Sequence, residues 1–379
     1  MKKRLLSVSL ALVLAMSLLT GCGSGNGQTT TTTAAPATTT TAPDTTTTKE
    51  ATTEEPTTTT VTEAPTTVAP TEDPAAEDTT EINVGVLKGP TGMGAIKLMD
   101  DAETGVFENY HFTLTPEVTD IVARLSNGSL DIGALPTNVA SNLYNKTNGG
   151  VKIIALNCLG VLYIARNKNS AAVESVEDLR GRTIYCNGQG NNPEYVINYI
   201  LRQNGLEPGV DVELVFGEAS EISAKMIAGE IDLCMLPIPA VTTVLVKNQD
   251  VEIALDLTEE YDAAANNGST LTMGSLVVRT QFLEEHPEAV DNFLKNYAKT
   301  VEEVVSDYDM ASELIAKYEI VGSAAIAKKA LPDAGIVCIT GSEIRSRIEA
   351  YYQVLFDANP ASIGGAMPGD DFYYEGEEN

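Results

Sequence analysis

From Ile82 onward the chain alternates short runs of β-branched and other apolar residues with stretches whose apolar positions recur every three or four residues. The first series predicts strand 82–88, helix 94–103, strand 110–115, helix 118–128, strand 131–136, helix 137–147 and strand 151–159. A second series predicts helix 175–180, strand 182–187, helix 193–205, strand 211–218, helix 221–230, strand 231–237, helix 238–249 and strand 251–257. After a β-run at 275–280 come four helices at 287–305, 311–319, 324–331 and 342–358. Strands alternating with helices predict an α/β fold with a mainly parallel sheet covered on both faces. Two such series fit two lobes within residues 82–260, and the last four helices are expected to return over the first.

The two series echo each other. Asn127-Gly128-Ser129-Leu130-Asp131 through Pro136 matches Ala228-Gly229-Glu230-Ile231-Asp232 through Pro237. In each, a helix ends at glycine, an aspartate opens an apolar strand, and a proline closes it where the next helix starts.

Before Ile82 the pattern is different. Lys2, Lys3 and Arg4 precede an uncharged apolar run from Leu5 to Leu19, followed by Thr20, Gly21 and Cys22. A positive end, an apolar stretch too short to span a bilayer and a small-residue cut site read as a secretory signal over residues 1–21. Residues 22–80 are Gly/Ser and then Thr with Pro, Ala and scattered acids, too poor in large apolar side chains to offset the entropy of ordering. They are expected to form a disordered tether, with an rms span near ~40 Å for a flexible coil.

Charge narrows the function. The formal net charge is -29, and removal of residues 1–21, with their three positive charges, takes it to -32. So acidic a body argues against nucleic acid and against electrostatic adhesion to anionic lipid. Beyond Cys22 the cysteines are Cys158, Cys186, Cys234 and Cys338, each within a short apolar run. They read first as small buried hydrophobes, with disulfides left open, and their spacing gives no metal-site signal. His111 and His286 have no neighbour at ligand spacing, so no metal and no cofactor is expected. In GPTGMGA, Ala95 stands where a phosphate-binding loop needs lysine, and no GxSxG nucleophile elbow occurs. No catalytic residues are assigned.

In α/β sheets a ligand crevice lies beyond the carboxyl ends of the strands. The turns expected there supply the candidate ligand-binding residues: Gly89, Pro90, Thr91, Gly92 and Met93; Pro136, Thr137 and Asn138; Leu159 and Gly160; Gly188, Gln189, Gly190 and Asn191; Pro237 and Ile238. Glycine lets backbone N–H groups approach a ligand, and the Thr, Asn and Gln side chains add oriented hydrogen bonds. The same residue types also serve ordinary turns and helix caps. No arginine lies in these turns, so the expected ligand is small and neutral or singly charged rather than a polyanion. The C-terminal segment 364–374, glycines followed by acids and three aromatics, is expected to pack onto a lobe, with a lid over the cleft as the alternative.

Several of these segments carry a resemblance. LKGPTGMGAIKLM, the GxxDIGALP strand, SVEDLRGRTIYCNGQG and VVRTQFLEEHPEAVDNFL resemble the solute-binding proteins of ABC importers, closest to the nitrate, sulfonate, taurine and thiamine-precursor group. Leu19-Thr20-Gly21-Cys22 likewise resembles the bacterial lipobox, which implies lipidation at Cys22. The resemblance implies a two-lobed, type II periplasmic-binding-protein-like fold with the ligand cleft between lobes. Lobe 1 is then 82–162 with 260–379 and lobe 2 is 163–259, with hinge crossings near Tyr163–Arg166 and Leu257–Ser275. It further implies no enzymatic activity and capture of a small anion such as sulfonate or nitrate, or of a small heterocycle. Partner ABC permease and ATPase subunits would take the solute from a monomer held outside the cell membrane by its lipid alone. A sensory or adhesive surface lipoprotein, or more remotely an enzyme, on the same fold is the alternative.

Overall fold

The computed structural model describes residues 79–376, so the signal segment, Cys22 and residues 23–78 lie outside the described residues. In chain order the strands are β1 (Ile82–Leu87), β2 (Tyr110–Thr115), β3 (Ile132–Pro136), β4 (Val151–Leu159), β5 (Leu162–Asn167), β6 (Thr183–Cys186), β7 (Glu213–Phe216), β8 (Leu233–Pro237), β9 (Val251–Asp256), β10 (Thr272–Arg279) and β11 (Ile336–Ile339). They form a six-stranded sheet ordered β11-β4-β10-β3-β1-β2 and a five-stranded sheet ordered β7-β6-β8-β5-β9. The central strands β3, β4 and β8 are buried along nearly their whole length, which is why they read as unbroken apolar runs. The edge strands β2, β7 and β9 admit charged and polar residues.

Both sheets are mixed rather than mainly parallel. β1 pairs in parallel with β2 and β3, but β10 returns from far along the chain and inserts antiparallel between β3 and β4. In the second sheet β6 pairs in parallel with β7 and β8, whereas β5 lies antiparallel between β8 and β9. The chain passes between sheets at Gly160–Val161 and again between β9 and β10. The expected crossing at Tyr163–Arg166 is therefore a strand of the second sheet. The stretch 257–275 is largely ordered too: helix Leu257–Ala265 is capped by Asp256, whose Oδ1 accepts from Thr258 N at 2.8 Å, and β10 begins at Thr272.

Elsewhere the local rules act as expected. Helices Val118–Asn127 and Ala219–Ala228 end at Gly128 and Gly229, both left-handed with φ of 79° and 72°. The predicted helix at 175–180 is one 3-10 turn, Val176–Leu179: a reciprocal capping box between Ser175 and Asp178 starts it, and Arg180 with ψ of 127° and left-handed Gly181 end it.

Helix Pro287–Ser306 lays Val290, Phe293, Tyr297 and Val301 on one face of the first sheet, against Val84, Ile132 and Ile154. Helix Ser342–Ala358 covers the other face through Ile344, Ile348, Tyr352 and Leu355. The lobes also touch. Ile315, Ala327 and Leu331 share an apolar cluster with Val241 and Val244 of helix Ala240–Lys247. On the other side, rings of Tyr199, Tyr261 and Tyr351 follow one another at centroid distances of 5.6 and 5.7 Å, linking the second lobe, the crossing helix and the first lobe. The C-terminal aromatics pack on the first lobe: Phe372 is buried against Tyr144, and Tyr374 N donates to Ile153 O at 3.0 Å. Cys158, Cys186 and Cys234 are buried and Cys338 half-buried, all as free thiols.

Candidate functional site

Between the two sheets lies a cleft of about 750 Å³. The carboxyl ends of β1, β3, β6 and β8 deliver Gly89, Pro90 and Thr91, Pro136, Asn187 to Asn191, and Pro237 and Ile238 toward it, as expected for crevices beyond strand ends. Of the sequence-predicted residues, Gly89, Pro90, Thr91, Pro136, Gly188, Asn191, Pro237 and Ile238 line this space. The others do not.

Most of those others have a visible role in the fold. A Cβ on Gly92 would stand 2.1 Å from Leu87 O, so the turn after β1 closes only over glycine. Met93 points into the core, and Thr137 and Asn138 are buried. Leu159 N donates to Gly335 O at 2.8 Å, and a Cβ on Gly160 would meet Thr258 Oγ1 at 2.1 Å, which keeps this crossing tight. Gln189 and Gly190 are exposed at the mouth, where Gly190 N donates to Glu194 Oε2 at 2.6 Å.

Sequence reasoning missed much of the lining because it looked only at turns. Helix Ala219–Ala228 contributes Ser220, Ser223, Ala224 and Ile227, and helix Ala240–Lys247 contributes Thr243 and Lys247. The spacing i, i+3, i+4, i+7 of the first set is one helix face rich in small residues, a signal present in the sequence but not used. Ile320, Val321 and Gly322 come from a loop far along the chain, and Met273 from β10.

The chemistry of the walls is aliphatic, with hydroxyl and amide groups set among Leu87, Val161, Leu162, Ile227, Ile238 and Met273. The charged groups lining it are Lys88 from the first lobe and Lys247 from the second; among the described residues no carboxylate and no aromatic ring lines it. Glu319, at the rim, lies 3.8 Å from Lys88. Burial pushes the Cys158 thiol up to about 12, so it stays protonated and un-nucleophilic at neutral pH.

A larger groove of about 880 Å³ lies between helices Asn192–Gln203 and Ser342–Ala358. Arg202, Glu349 and Asp357 border it, but none of the converging strand-end turns reaches it, so it is not the crevice that this topology builds. Among the described residues no group of three or more His, Cys, Asp or Glu is placed to hold a metal ion, and no helix is long and apolar enough to cross a membrane.

The family model described as NMT1/THI5 like matches residues 117–311, more than half of the chain. The chain belongs to the NMT1/THI5-like family. That match runs from the helix before β3 through both crossings, and so takes in the whole second lobe and most of the cleft turns. No curated protein matches the chain. Among solved structures it is similar to an ABC transporter from Parabacteroides distasonis, with 21% identity over 78% of this chain and 99% of that one and a TM-score of 0.65. The periplasmic aliphatic sulphonate binding protein SsuA from Escherichia coli gives 17% identity, 77% and 96% coverage and a TM-score of 0.61. The periplasmic nitrate-binding protein NrtA from Synechocystis PCC 6803 gives 12% identity, 70% and 75% coverage and a TM-score of 0.51. At these identities the likeness shows the fold, which is that of the two-lobed binding proteins resembled by the sequence.

Proposed function

We propose that this protein is the extracytoplasmic solute-binding component of an ABC importer, and that it captures a small organic anion in the cleft between its lobes. One observation carries the reading: in a chain with 53 acidic and 24 basic residues, the converging strand ends line a cleft with two lysines and no carboxylate. An anionic group meets Lys88 on one wall and Lys247 on the other, while an aliphatic body rests on Ile227, Ile238 and Met273. A flat heterocycle is the weaker candidate, since the walls offer no ring for it to stack on. The family match and the sulfonate- and nitrate-binding neighbours support solute capture without turnover.

The lobes, taken as 82–162 with 260–379 and as 163–259, pivot about the crossings at Gly160–Val161 and between β9 and β10, and the solute stabilises the closed arrangement. Lipidation at Cys22 anchors the monomer outside the membrane, with permease and ATPase subunits as its partners.

The test is calorimetric titration of the chain with aliphatic monosulfonates and monocarboxylates, each beside its neutral amide. Saturable binding confined to the anions is expected. Lys88→Met and Lys247→Met are each expected to weaken it by about threefold to fivefold, as a partly exposed ion pair allows, and added salt should do the same. Equal affinity for anion and amide would overturn the anion reading, and no heat with any solute would overturn solute capture.

A further inference from the structure

Beside those apolar and aromatic contacts, a side chain below the cleft hydrogen-bonds from one lobe to the other. Asn192 opens the second-lobe helix Asn192–Gln203 and is 1% exposed. Its Nδ2 donates to Thr137 Oγ1 at 2.8 Å, with Met273 O at 3.3 Å and Thr272 O at 3.5 Å as further acceptors. All three acceptors belong to the first lobe, Thr137 at the start of helix Thr137–Thr147 and the others at the start of β10, just after the second crossing.

The first-lobe side of this junction is braced independently of Asn192. Thr137 Oγ1 donates to Thr272 O at 2.8 Å, and the buried Tyr352 hydroxyl donates to Thr137 O at 2.8 Å. The second-lobe side consists of Asn192 alone. Its Nδ2 is committed, and its Oδ1 is buried without a partner, as are Asn138 Oδ1 and Thr272 Oγ1 beside it. A buried polar group left unmatched is retained against a cost, and here the amide that incurs it is the one that spans the lobes.

We infer that Asn192 is a positioning residue: through Thr137 and the start of β10 it holds the two lobes at the separation that shapes the cleft. Asn192, Pro136 and Met273 all line the cleft floor, so a change in that separation moves both walls. The inference rests on the two-lobed binding reading but needs no solute, so its failure is distinguishable from a failure of solute capture.

The experiment measures an inter-lobe distance in the solute-free full chain by pulsed electron resonance. Nitroxides are placed at Val106→Cys and Val210→Cys, exposed positions of the first and second lobes, in a Cys22→Ala, Cys338→Ser background. With Asn192 present a single narrow distance is expected. Asn192→Ala should raise the population of longer distances about fivefold, the ratio corresponding to one hydrogen bond. Thr137→Val, which removes the nearest of the three first-lobe acceptors, should act in the same direction, and the double variant should be no worse than Asn192→Ala alone. A purely structural role would lower the melting temperature and leave the distances alone, and that result overturns the inference. So does a wild-type distribution as broad as the variants'. If Asn192→Ala does not fold, Thr137→Val decides, and an unchanged distance there overturns the inference equally.

Discussion

Replacing Asp131 by alanine is expected to lower the unfolding free energy by about 3–5 kcal/mol, whereas the same change at its counterpart Asp232 should stay within about 0.5 kcal/mol. The two aspartates occupy the same place in the repeated helix-Gly-strand pattern, but their surroundings differ. Asp131 is 5% exposed and joins three strands. Its Oδ2 accepts from Asn83 N and Asn83 Nδ2, both at 2.9 Å, and its Oδ1 accepts from Arg279 Nη2 at 2.7 Å. Arg279 Nε is meanwhile held by Leu130 O at 2.9 Å, so the guanidinium cannot swing away to solvent when its partner is deleted. The loss combines a half-buried cation without its carboxylate with a backbone N–H of β1 without its acceptor. Asp232 faces solvent. Urea denaturation of the full chain checks both, and equal losses at the two positions would remove the argument.

Gly92→Ala is the second large effect, expected to cost at least about 2 kcal/mol. Its Cβ would lie 2.1 Å from a backbone oxygen, Leu87 O, which cannot rotate out of the way as a side chain could, so the turn leading from β1 to Pro90 and Thr91 must open. Gly190→Ala is the useful comparison. Gly190 has φ of 74° and nothing within 4 Å of an added Cβ, so its loss should be limited to the conformational penalty of about 1 kcal/mol. Denaturant midpoints for the pair separate steric from conformational demand. A Gly92→Ala loss no larger than that of Gly190→Ala would mean that the turn relaxes freely.

The two series of strands and helices were legible because each obeys a local rule. The predicted helix at 137–147 has its observed ends, with Pro136 before it and left-handed Asn148 after it. What the sequence concealed depends on distant partners. β5 reads as a linker because its four central residues, Tyr163–Arg166, form a strand only through β8 and β9 on either side. β11 is four half-buried residues paired irregularly with β4. The cleft shows the same division. Strand-end turns could be read one at a time, but Thr137 is turned inward by Thr272, 135 residues away in sequence, and the lysine pair becomes a pair only when two lobes face each other. Glycine suggested ligand contact at Gly92 and Gly160, but close packing already requires it there, against the Leu87 carbonyl and against the Thr258 side chain.

The aliphatic walls have an optical consequence. The chain contains no tryptophan, and none of its 14 tyrosines lines the cleft. A captured solute therefore touches no chromophore, and contact by itself leaves the ultraviolet spectrum dark. The train of Tyr199, Tyr261 and Tyr351 runs from one lobe to the other, so any tyrosine signal that does change on binding is a readout of lobe movement rather than of occupancy.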